Sequence, residues 1–168
     1  MRPKIYLFGD SITEMSFEEA GWGASLTNHF ARTADVVLRG YSGYNTRWAL
    51  KVAERVFPAA GEAVAVTVFF GANDACLPDR CSAFQHVPLE EECGSPVIDL
   101  WAKMQQLPNW PTTCLSDGLH LSVAGNKVVF EEVVKKLEEV GVSLQTLPSD
   151  QPLISHIDAK DPLKSFPN

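Results

Sequence analysis

Apolar residues in this chain fall in short runs that break off sharply. Ile5-Tyr6-Leu7-Phe8 is stopped by Gly9-Asp10-Ser11, the pattern of a buried strand ending at a turn. Asp35-Val36-Val37-Leu38-Arg39 predicts a second short strand, running into the turn-rich Gly40-Tyr41-Ser42-Gly43-Tyr44-Asn45. The strongest strand is Val64-Ala65-Val66-Thr67-Val68-Phe69-Phe70, apolar on both faces as at the centre of a parallel sheet. It ends in Gly71-Ala72-Asn73-Asp74, and Val97 to Trp101 predicts a further short strand.

Between these runs the period changes to that of a helix. Trp22, Leu26 and Phe30 predict an amphipathic helix within Gly21 to Arg32. Ala49, Val52, Ala53 and Val56 share one face of a helix from Thr46 to Val56, with Pro58 beyond its end. Val129, Val133 and Leu137 mark a last helix from about Ser122 to Val140, closed by Gly141. Strands alternating with helices imply a doubly wound parallel sheet in an α/β three-layer sandwich. In such sheets ligands sit at the C-terminal strand ends, here marked by Asp10-Ser11, Gly43 and Asn73. One domain is expected over 1–146, followed by a proline-containing tail over 147–168.

The 168 residues carry a net charge of -7, which argues against nucleic acid because phosphate binding needs clustered Lys and Arg. No run approaches the roughly 20 apolar residues of a membrane span. The apolar run after the basic start stops at Phe8, short for a signal-peptide core, and a cytoplasmic protein is expected. Cys76, Cys81, Cys93 and Cys114 form no Cys-x-x-Cys pair and have no histidine at ligand spacing, so free thiols are expected and no metal site.

A serine nucleophile needs a base, and the base needs an orienting partner. Of the four histidines, His120 has an acid, Asp117, three residues before it, where a turn brings carboxylate and imidazole to one side. Acyl transfer also needs donors for the developing oxyanion; the Ser11 and Gly43 N–H groups and the Asn73 carboxamide are candidates. Each signal has a plainer alternative: Asp10-Ser11 as a helix cap, Gly43 as a turn glycine, Asn73 as a strand-ending turn, His120 as a loop residue.

Together, Gly9-Asp10-Ser11-Ile12, Gly43 within Gly40 to Thr46, Gly71-Ala72-Asn73-Asp74 and Asp117-Gly118-Leu119-His120 resemble the four blocks of the GDSL or SGNH hydrolase superfamily. Residues 39–47 and 69–75 resemble the branch of isoamyl acetate-hydrolysing esterases and their plant relatives. The resemblance implies a flavodoxin-like fold and hydrolysis of small, short-chain acyl esters through an acyl-enzyme. It implies Ser11 as nucleophile, His120 as base and Asp117 as its partner. Ser11, Gly43 and Asn73 would form the oxyanion hole, with no metal or organic cofactor.

Asp117 follows Asn73 by only 44 positions, whereas members of this family enclose a further helix, a fourth strand and another helix there. Val87-Pro88-Leu89 resembles the entry to the first of those helices and Glu91-Glu92-Cys93-Gly94 the exit of the second. An internal deletion around 89–91 is therefore expected, with loss of a central strand and its flanking helices. Either the strand ending at Phe70 is left as an exposed edge that invites self-association, or Val97–Leu100 moves into the vacancy. The alternative function is a catalytically silent shortened variant acting as a binding protein.

Overall fold

The computed structural model describes residues 2–57, 63–76, 79, 82–87 and 96–166. Strand β1 (Lys4–Gly9) lies between β2 (Asp35–Gly40) and β3 (Ala63–Phe69) in a parallel three-stranded sheet of order β2-β1-β3. The register sets Gly9 beside Gly40 on one side and beside Phe69 on the other. The three C-terminal ends are therefore level.

Successive strand residues face opposite ways, so β1 feeds two cores. Ile5 and Leu7 meet Trp22, Leu26 and Phe30, Met104, and Val129, Val133 and Leu137. These side chains come from α2 (Trp22–His29), α4 (Leu100–Met104) and α6 (Val123–Glu139), with Phe30 just past α2. Phe8 turns the other way, onto Ala49 and Val56 of α3 (Thr46–Val56) and onto Phe57. Helices thus cover both faces. Trp22, Leu26 and Phe30 are fully buried, and truncating one such residue to Ala costs about 2–5 kcal/mol.

Local chemistry explains where α6 starts and stops. Ser122 caps its start, the hydroxyl accepting from Gly125 N at 3.2 Å. At its end Gly141 takes φ 86°, its N–H bonding Glu138 O while Val142 N bonds Leu137 O. This is a Schellman cap.

Two expectations are corrected. Val97 to Trp101 is not a strand: residues 97–99 are irregular and α4 begins at Leu100. Asp99 decides this by accepting from Ala102 N at 2.9 Å as a helix cap, while Met104 and Lys103 dock the helix on α6, the latter by an ion pair with Glu132 at 3.1 Å. Five apolar residues carry too little period to distinguish strand from helix. Nor is β3 the centre of the sheet. Among the described residues nothing pairs with its outer edge, and Val64, Val66 and Val68 are 39%, 43% and 70% exposed.

The expected junction at 89–91, the helix end at Gly94 and Pro58 lie outside the described residues. So do Cys81 and Cys93; Cys76 and Cys114 are free thiols. No helix among the described residues is long and apolar enough to cross a membrane. Beyond Leu147 the chain lies along the surface, where Asp150 accepts from Arg2 Nε at 2.9 Å and from Arg32 Nε at 3.4 Å.

Candidate active site

Ser11 opens the short helix α1 (Ser11–Glu14) directly after β1. Asp10 caps that helix, its Oδ1 accepting from Ile12 N at 3.0 Å. The turn is tight: a Cβ on Gly9 would stand 2.0 Å from Thr13 Oγ1 and 2.6 Å from Phe69 O, so only glycine fits there. Trp22 clamps the turn from below, donating its indole N–H to Ile12 O at 3.3 Å while its backbone N–H meets Asn126 Oδ1 at 3.0 Å. Burial raises the Asp10 carboxyl above its ordinary value, against the pull of the Ile12 N–H and His120. Its Oδ2 has no hydrogen-bond partner among the described residues.

His120 arrives on a separate loop between α5 (Trp110–Thr113) and α6. That loop closes on itself. Leu115 bridges Leu121, Ser116 N donates to His120 O at 2.8 Å, and Ser122 N donates to Cys114 O at 2.9 Å. The first turn of α6 presses on the same carbonyl, where a Cβ on Gly125 would come within 2.1 Å.

Inside the loop, Asp117 Oδ1 accepts from the N–H groups of Leu119 and His120 at 3.0 and 2.8 Å. Its Oδ2 lies 2.7 Å from His120 Nδ1, and His120 Nε2 lies 3.1 Å from Ser11 Oγ. The His120 side-chain contact, followed by the two backbone N–H groups, holds the Asp117 carboxyl well below the usual carboxylate range. An ionised Asp117 places the proton of neutral His120 on Nδ1. Nε2 is then a lone pair facing the serine hydroxyl. Such an array can take the hydroxyl proton as oxygen attacks a carbonyl.

The other two candidates flank this line. Gly43, at φ 77°, sits in a turn fastened by Ser42 N to Glu14 Oε2 at 2.8 Å and by Tyr41 N to Gly9 O at 2.8 Å. Asn73 follows Gly71 and donates from Nδ2 to Tyr44 O at 2.9 Å. Asp74 accepts from Thr46 N at 3.0 Å and from the Thr46 hydroxyl, joining the strand end to the start of α3. The structure thus places all five predicted residues at one sheet edge. Sequence reasoning missed Glu14 and Gln85, whose partners lie 28 and up to 42 residues away. No local signal marks either.

The family model of GDSL-like lipases and acylhydrolases matches residues 5–91, just over half the chain. The chain belongs to the GDSL lipase/acylhydrolase family. A GDSL esterase/lipase of Arabidopsis thaliana is 50% identical to it, covering 99% of this chain and 98% of its own length. The human isoamyl acetate-hydrolyzing esterase 1 homolog is 33% identical over 86% of this chain and 85% of its own. Among solved structures, a lipase/acylhydrolase from Enterococcus faecalis matches with a TM-score of 0.65 at 22% identity, covering 90% of this chain and 100% of its own; this likeness concerns the fold.

Two details bear on the shortened middle of this GDSL protein. The Arabidopsis alignment runs over 237 positions against a chain of 168, so it passes over about 70 positions that this chain lacks. The family match stops at residue 91, inside the region where the junction is expected. Asp117 and His120 lie beyond it.

Proposed function

We propose that this GDSL protein is a serine esterase that hydrolyses small carboxylic esters with short acyl chains through an acyl-enzyme. The observation that carries the reading is the line from Asp117 Oδ2 through His120 to Ser11 Oγ, with steps of 2.7 and 3.1 Å. Ser11 Oγ attacks the ester carbonyl as His120 Nε2 takes its proton. The same imidazolium, steadied by Asp117, then protonates the departing alcohol. Water repeats the sequence on the acyl-serine and releases the acid. The Ser11 and Gly43 N–H groups and the remaining N–H of Asn73 receive the oxyanion. No step calls for a metal or cofactor.

The test is hydrolysis of 4-nitrophenyl acetate by purified protein beside Ser11→Ala, with labelling by a serine-directed fluorophosphonate. Turnover and labelling that both vanish in the variant support the esterase. Equal background from both folded proteins overturns it.

The bare outer edge of β3 favours a second reading, a silent variant that pairs with another chain. Self-association through that edge is proposed on either reading, because Val64, Val66 and Val68 belong to an uncharged strand whose outer edge is unpaired among the described residues.

A further inference from the structure

We propose that Gln85 is a positioning residue for the oxyanion donors, a role that rests on the esterase reading. Gln85 ends a 3-10 turn, Ala83–Gln85, and its backbone carbonyl accepts from Asn45 Nδ2 at 2.9 Å. Asn45 is itself buried and caps α3, so this anchor is firm. The side chain reaches back between the two outer donors of the site. Its Nε2 lies 2.8 Å from Gly43 O and 3.2 Å from Asn73 Oδ1.

The chemistry of these contacts admits one arrangement. A peptide carbonyl only accepts, so the atom of Gln85 facing Gly43 O is nitrogen. The Asn73 atom facing that nitrogen is then oxygen, and the Asn73 nitrogen faces Tyr44 O at 2.9 Å, which again only accepts. The Cys76 thiol, 3.7 Å from Gln85 Oε1, meets the acceptor end. Two carboxamides in series thus link the successive carbonyls of residues 43 and 44. Gln85 commits both its N–H groups to this chain. Asn73 commits one and keeps one for the substrate.

Without Gln85, the Asn73 carboxamide is held, among the described residues, through Tyr44 O alone, and a half-turn would present oxygen to a developing negative charge. Gly43 would lose the bond to its carbonyl. Preorganised donors act because they need no rearrangement as charge develops. Gln85 supplies that order without touching substrate.

The experiment compares Gln85→Ala, Gln85→Glu, Asn73→Ala and the Asn73→Ala/Gln85→Ala double variant on 4-nitrophenyl acetate, with melting temperatures. Gln85→Ala is expected to lower kcat about 10- to 100-fold, with KM within about twofold. Gln85→Glu is expected to be as slow at neutral pH, with its deficit relative to wild type at the same pH narrowing in acid, where a protonated carboxyl again donates. In the Asn73→Ala background the Gln85→Ala loss shrinks, because much of its effect passes through Asn73. Full multiplicative losses, or unchanged kcat in Gln85→Ala, overturn the proposal.

A second readout does not depend on turnover. The side-chain amide resonances of Asn73, assigned by their loss in Asn73→Ala, should shift and exchange faster with solvent in Gln85→Ala. If wild type and Ser11→Ala prove equally inert, the esterase reading fails while this signal still reports whether Gln85 holds Asn73. Unchanged Asn73 resonances in Gln85→Ala overturn the positioning role.

Discussion

The indole N–H of Trp22 donates to the carbonyl of Ile12 at 3.3 Å, fastening the turn that carries Ser11 to the largest fully buried side chain of the main core. Trp22→Phe keeps an aromatic ring but removes that donor and part of the ring volume. It should lower stability by about 1–3 kcal/mol and lower esterase turnover more than the small rise in unfolded fraction explains. Chemical denaturation and kinetics on one preparation check both.

Asp117 fixes which nitrogen of His120 faces Ser11. Asp117→Asn can rotate its amide to offer N–H to Nδ1, moving the imidazole proton to the serine side. A fall in kcat of about 10³- to 10⁴-fold is expected, with melting little changed because the side chain is exposed. Since the native carboxylate is held well below its ordinary range, its protonation should leave no inflection in the pH–rate profile above about pH 4.

Asp10 runs the other way. Its carboxyl is raised by burial above the ordinary 3.8, so folding shifts it toward the protonated form. Its contribution is complete below the ordinary value and is lost as pH rises through the native one. Asp10→Asn keeps an oxygen for the Ile12 N–H and carries no charge. Its melting temperature relative to wild type should therefore climb between about pH 4 and pH 7. A constant difference across that interval would sink the idea.

Asp150 and Arg32 pin the tail, Arg32 also donating to Gln151 O at 2.8 Å and Pro152 O at 3.1 Å. Asp150 receives Arg2 and Arg32, and its backbone N–H meets Arg32 O at 2.9 Å. Asp150→Ala should speed proteolytic cutting near 148–157 and leave ester turnover unchanged, as read by mass spectrometry of timed digests.

Self-association through β3 predicts that wild type sediments faster than a monomer and that Val66→Lys, a charge in the middle of the edge, returns it to one. Sedimentation velocity decides; a monomeric wild type refutes the expectation.

Much of this architecture is written locally. α2, α3 and α6 each have a helical period, β1 and β2 are apolar runs stopped by turn residues, and the starts of α3 and α6 carry the capping residues Asn45 and Ser122. What Val97 to Trp101 becomes depends on Asp99 and on a surface of α6 that no neighbouring residue announces. The two apolar faces of β3 predict cover on both, yet Val64, Val66 and Val68 stand exposed, and apolar faces do not tell whether a strand lies on each side. At the site, Ser11, Gly43, Asn73, Asp117 and His120 sit where motif and strand end coincide. Glu14 and Gln85 hold that site through contacts that exist only after folding.

The imidazole loop is a closed ring, cinched by the Leu115–Leu121 bridge and the bond from Ser122 N to Cys114 O. Its address is set by the helix it abuts, not by the path the chain takes to get there. This chain lacks about 70 positions of the Arabidopsis alignment, and His120 Nε2 still stands 3.1 Å from Ser11 Oγ.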